Sequence, residues 1–106
     1  MGIIIYSNDS ETVWNAIRFG NYALNEGDGV KLFMLGKGVE CESLDTDDGK
    51  FNVTEQMQTL IGNGGEILAC GSCLKIRQSG GSEMCPMSTM ADLYDVVKSC
   101  DKVLTF

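Results

Sequence analysis

Two cysteines three residues apart, Cys70 and Cys73 in "ACGSC", end a short apolar run, and the charged stretch "LKIR" follows them directly. Four chemistries fit that spacing: half of a four-thiolate metal site, a dithiol redox pair, a thiol that carries sulfur, or two small residues packed in a core. Lys75 and Arg77 lie within the next two turns and can stabilise a thiolate electrostatically, which is the environment of a reactive thiol. The other thiols are Cys41, Cys85 and Cys100. Zinc would need a second tight knuckle, yet Cys85 and Cys100 are separated by an expected helix, so no metal site is expected. Strand, CxxC, helix is the arrangement of a thioredoxin-like redox pair, although the motif follows a third strand and Pro86 stands on the wrong side of it. Cys41 and Cys100 read as packed residues, and Cys85, beside Pro86, is not expected to approach the pair.

The remaining composition narrows the chemistry further. There is no histidine, which removes triads, imidazole metal sites and Cys-His nucleophile pairs. A net charge of −7 repels phosphate backbones and anionic lipid surfaces, so neither nucleic acid nor a membrane is an expected partner. No apolar run is long enough to span a bilayer, and "MGIIIY" reads as a first strand and not as a secretion signal. An odd number of cysteines without such a signal places the chain in the cytoplasm, with its thiols reduced. "GKG" at 36–38 lacks full phosphate-loop spacing, and "DTDDG" at 45–49 lacks the closing glutamate of a calcium loop, so no cofactor is expected.

The pair must be positioned by a scaffold of alternating strands and helices. "GIIIYS" and "VKLFML" read as buried parallel strands, with a helix from about Glu11 to Asn25 between them, capped by Asp9 or Ser10 and ended by glycines. A polar, acidic loop, "GKGVECESLDTDDGK", comes next; its residues 40–48 can dock a basic partner or simply face solvent. Asn52 with Glu55 starts a second helix, "EILAC" is the third strand, and "LKIRQ" a short helix. "SEMCPM" reads as an irregular connection. Ser88 or Thr89 then caps a helix with Met90, Leu93, Tyr94 and Val97 at helical spacing, and "KVLTF" closes as a strand. The sum is one α/β domain over residues 1–106, a small doubly wound, mainly parallel sheet of four or five strands with helices on both faces. Cys70 and Cys73 then lie at the carboxyl edge of the sheet, where ligands gather in such folds.

These residues also carry a resemblance. "ILACGSCLKIRQSG" with "MSTMADLYDVVKSCDKVLTF", and further back "IIIYSND" and "VKLFMLGKGV", resemble the DsrE/DsrF-like family of small sulfur-relay proteins over nearly the whole chain. The resemblance implies that Cys70, at the strand end, carries sulfur as a persulfide. It further implies that Arg77 is the helix arginine, that Cys73 matches the CxxC of some stand-alone members, and that Gly36 and Gly38 form the turn near the cysteine. It implies homo-oligomers, trimers or hexamers, and sulfur donor and acceptor proteins as partners. Backbone amides from Gly71 onward stand ready for an anionic persulfide. The second cysteine departs from the single-thiol pattern of relay members: Cys73 can attack a Cys70 persulfide, release sulfide and leave a disulfide. Three functions therefore stand beside one another, namely a sulfur carrier or sulfurtransferase, a dithiol redox protein or sensor, and an oligomeric binding module with structural thiols.

Overall fold

The computed structural model describes residues 1–106. Five parallel strands form one sheet, β1 (Gly2–Ile5), β2 (Lys31–Met34), β3 (Glu66–Cys70), β4 (Met87–Ser88) and β5 (Val103–Thr105), in the order β4-β3-β2-β1-β5. The helices are α1 (Ser10–Asn25), α2 (Val53–Gly62), α3 (Gly71–Ile76) and α4 (Met90–Ser99), and residues Gly36–Ser43 form a 3-10 helix after β2. The architecture is the expected three-layer α/β/α fold.

Alternation along β1 shows how the layers are assigned. Successive side chains of a strand point to opposite faces. A Cβ on Gly2 would meet Val96 of α4, whereas the next residue, Ile3, touches the neighbourhood of Gly20 in α1, where Leu60 of α2 also lies. So α1 and α2 cover one face, and α4, returning from one edge of the sheet to the other, covers the opposite face. The central strands are buried on both sides: Ile3, Ile5, Leu32, Phe33, Met34 and Ala69 expose nothing. That is why they read as continuous apolar runs and not as alternating ones.

Local chemistry sets the helix ends. Asp9, of the two capping residues expected, accepts from Thr12 N, and Asn52 accepts from Glu55 N. Thr89, not Ser88, caps α4 in a reciprocal capping box with Asp92. Three details differ from the expectation. The segment read as an irregular connection contains β4, which pairs Cys70 with Ser88 and covers the flank of β3. Two residues carry too little pattern for a strand to be read from them. The acidic loop begins as a 3-10 helix that buries Val39 and Cys41, so only its later part is loop. Finally, Val96 is the buried residue of α4, while Met90, Tyr94 and Val97 face outward. Of the expected stripe, Leu93 packs against the core, and the other three are rotated away from the sheet.

Candidate functional site

The strand β3 ends at Cys70, whose backbone turns directly into α3 as its N-cap residue. Gly71 is required at that turn, because a Cβ there would sit 2.9 Å from Ser88 O and 3.0 Å from Met87 Cγ of β4. Cys70 is therefore held between β4 and the start of the helix, only 3% exposed. One turn later Cys73 is half-buried, and its sulfur faces the loop after β2, where Gly36 N donates a hydrogen bond to Sγ at 3.2 Å. Gly36 adopts φ +55°, a conformation glycine reaches without cost and which aims that amide at the thiol. Burial raises the Cys73 thiol above its ordinary value, and the neighbouring Cys70 thiol adds to this; the Gly36 amide and Arg77 pull the other way. At neutral pH Cys73 is thus a protonated thiol with a donor already aimed at its sulfur.

Gly38 serves the same loop differently. A Cβ at this position would lie 2.0 Å from Ile5 O, so the 3-10 helix packs its backbone straight onto the end of β1. Only glycine fits.

Arg77 closes α3. Its Nη1 donates to Cys73 O at 3.1 Å, and its Nε donates to Glu40 Oε2 at 2.8 Å. Asn8, after β1, donates to the other oxygen of the same carboxylate at 3.3 Å. These bonds, Arg77 first, hold the Glu40 carboxyl below the usual carboxylate range. One ion pair therefore ties α3, the 3-10 helix and the β1 loop into a frame around Cys73. Gln78 follows with φ +55°, the one non-glycine residue in the left-handed region, and the turn it makes ends α3 at Arg77. Lys75 is exposed and makes no ion pair, so of the two cations expected near the thiols Arg77 is the one built into the frame.

Of the residues expected from the sequence, the structure brings together Cys70, Cys73, Gly36, Gly38, Gly71 and Arg77 at the carboxyl edge of the sheet. Glu40 was missed as a site residue. It stood in an acidic stretch whose carboxylates turn out to serve the chain itself: Glu42 bonds Ser82, Asp45 caps Thr54 N, and Asp48 bonds Thr46 and Lys50. One carboxylate among several, two positions beyond "GKG", gives no signal that it will meet an arginine thirty-seven residues on. Cys85 does not join the pair; its sulfur lies 3.9 Å from that of Cys41. No group of three or more Cys, Asp or Glu is arranged to hold a metal ion.

The strand-end dithiol, its glycine turn and the helix arginine thus sit together on a small parallel three-layer α/β/α sheet. The chain belongs to the DsrE/DsrF-like family, whose model matches residues 1–106. An uncharacterised protein of Methanopyrus kandleri is 35% identical over 100 residues, 91% of this chain and 83% of its own length. A second, from Methanocaldococcus jannaschii, is 33% identical over 91% of this chain and 88% of its own. Among solved structures, the ychN protein of E. coli superposes with a TM-score of 0.80 at 23% identity, covering 99% of this chain and 97% of that one. A Bacteroides thetaiotaomicron protein of unknown function does so with a TM-score of 0.73 at 18% identity, covering 99% and 93%. Both structures share the fold. Family membership points to a role in sulfur relay. No helix is long and apolar enough to cross a membrane.

Proposed function

We propose that this protein handles sulfane sulfur at the Cys70/Cys73 dithiol, in the cytoplasm, as a carrier or sulfurtransferase. The observation that carries the reading is the Gly36 amide bonded to the Cys73 sulfur in a chain of the DsrE/DsrF-like family. Cys73, the more exposed thiol, is the point of entry. Its thiolate attacks the outer sulfur of a donor persulfide R–S–SH, forming Cys73–S–SH and expelling RS⁻, which takes the proton Cys73 released. Cys70 then has two choices. Attack on the outer sulfur moves the persulfide to the more buried Cys70 and regenerates the Cys73 thiol, which is the carrier outcome. Attack on the inner sulfur forms the Cys70–Cys73 disulfide and expels HS⁻, which is the dithiol redox outcome and the second reading. Arg77 and the Gly36 amide favour the anionic forms of Cys73 in either branch. Gly71 and the amides that follow it serve the Cys70 persulfide, and exposed Lys75 adds positive charge on the helix that follows the pair.

The protein acts as a homo-oligomer, a trimer or hexamer. In support, Met90, Tyr94 and Val97 present an apolar stripe on the outside of α4, which a second copy would cover. Five free cysteines accord with a reducing compartment.

The test is to load reduced Cys70→Ser and Cys73→Ser variants from a sulfane-sulfur donor and follow sulfide release beside protein mass. Loss of loading in Cys73→Ser with retained single-sulfur loading in Cys70→Ser supports entry through Cys73. Equal loading of both variants and of the double variant removes the site from the chemistry.

A further inference from the structure

The molecule holds a second thiol pair, separate from the first in both chain and surroundings. Cys41 lies on the 3-10 helix and is fully buried; Cys85 lies in the turn before β4 and is 3% exposed. They come from segments forty-four residues apart, and their sulfurs face each other at 3.9 Å. Such a distance closes to a disulfide by small side-chain rotations where the Cβ atoms are near one another. The pair is not sealed. An open cleft of about 360 Å³ runs beside it, lined by Val39, Glu40, Leu74, Arg77, Ser82 and Cys85. Cys85 thus faces the cleft, and Cys41 stands behind it.

The turn that carries Cys85 is already registered against the 3-10 helix. Ser82 Oγ donates to Glu42, the residue after Cys41, and accepts from Cys85 N at 3.1 Å. Ser82 N donates to Cys85 O at 3.1 Å, and Gly81 bridges Pro86. The two thiols therefore stay in register without a covalent bond, which is what a reversible dithiol needs.

We propose that Cys41 and Cys85 form a second redox-active dithiol, which closes to a disulfide beneath this cleft at the expense of a small-molecule disulfide. The Cys85 thiolate attacks one sulfur of R–S–S–R, forming Cys85–S–S–R and expelling RS⁻. Cys41 then attacks the Cys85 sulfur and expels the second RS⁻. The two thiol protons end on the two RSH molecules, so the protein loses two hydrogens and the external disulfide gains them. The bond joins the 3-10 helix to the turn before β4. It consequently anchors the segment that supplies both the Gly36 amide and the Glu40 carboxylate to the first pair. Formation of this bond is independent of whether Cys70 and Cys73 carry sulfur.

The neighbouring Cys41 thiol, together with burial, holds Cys85 protonated far above the ordinary thiol range. Closure is accordingly slow at neutral pH and accelerates as pH rises, by about tenfold per unit while the attacking thiol remains mostly protonated.

Wild-type protein incubated with oxidised glutathione, quenched in acid and mapped without reduction, tests the proposal. A cross-linked peptide joining Cys41 to Cys85, formed faster at pH 9 than at pH 7 and accompanied by slowed hydrogen exchange in residues 36–43 and 81–86, is expected. Recovery of Cys41 and Cys85 as free thiols while the 70–73 peptide is oxidised would overturn it, as would a stable glutathione adduct on Cys85 with Cys41 still free.

Discussion

The two thiol pairs of this protein are built on opposite plans. Cys70 and Cys73 are neighbours in the chain, placed by a strand end and one helical turn; the Cys73 sulfur accepts from a backbone amide and its carbonyl from a guanidinium. Cys41 and Cys85 are distant in the chain, brought together by the packing of a 3-10 helix against a turn, and shielded from most of their surroundings. In the first pair a backbone donor works against the burial that keeps Cys73 protonated; the second is held in register by the hydrogen bonds of Ser82. A thiol with a donor aimed at its sulfur is suited to attack once deprotonated; a buried thiol facing another is suited to locking structure.

The largest consequence of that difference is thermodynamic. Closing Cys41 to Cys85 constrains a loop of more than forty residues and is worth roughly 4 kcal/mol in the chain-entropy model, against roughly 2 kcal/mol for Cys70 to Cys73. Urea unfolding of the two singly oxidised forms should show that order, and equal stabilisation would mean that the second pair is strained when closed. Next in size is Gly38→Ala. The new Cβ meets the Ile5 carbonyl, and the 3-10 helix must lift from β1 at a cost of about 3 kcal/mol. Because that helix carries both the Gly36 amide and Cys41, the substitution should expose both pairs to alkylation; a change confined to Cys73 would show the two to be mechanically separate.

The pH dependence follows from the same thiols. Folded Cys73 and Cys85 hold protons that the unfolded chain releases near the ordinary cysteine value of about 8.5, so native stability should decline as pH rises beyond it. Asp9, Asp48, Asp92 and Glu40 are shifted the opposite way, each mainly by hydrogen bonds. Their contribution is present at neutral pH and is lost as pH falls below the usual carboxyl range, about pH 4. Replacing Cys85 by Ala should flatten the alkaline limb and leave the acid limb as it is, read from thermal melts across pH.

The smallest effect belongs to the ion pair. Glu40→Gln should change stability little, since the pair is partly open to solvent. Yet with Arg77 released, alkylation of Cys73 should change severalfold while that of Cys41 and Cys85 stays constant.

How much of this the chain discloses before folding divides along the same line. The βαβ alternation, the caps at Asp9 and Asn52, and the strand-end cysteines are local patterns, and all of them appear in the structure where the residues place them. Gly36 and Gly38 are legible only through family resemblance; their physical reasons, a left-handed turn and a backbone contact with Ile5, depend on a neighbour strand. Glu40, the face of α4 and the meeting of Cys41 with Cys85 are long-range outcomes. No periodicity marks a single carboxylate or a thiol for a partner some forty residues away. In α4, Met90, Tyr94 and Val97 satisfy the helical spacing as well as Val96 does, and only the sheet beneath decides which side is buried.

Sulfur handling at the first pair is tested most directly by intact mass and peptide mapping of the reduced wild-type protein after exposure to a sulfane-sulfur donor. A reductant-reversible gain of one sulfur on the peptide spanning Cys70 and Cys73, or sulfide release with loss of two hydrogens from that peptide, is predicted. A peptide that stays unmodified while sulfur accumulates on Cys100, or nowhere, would contradict it.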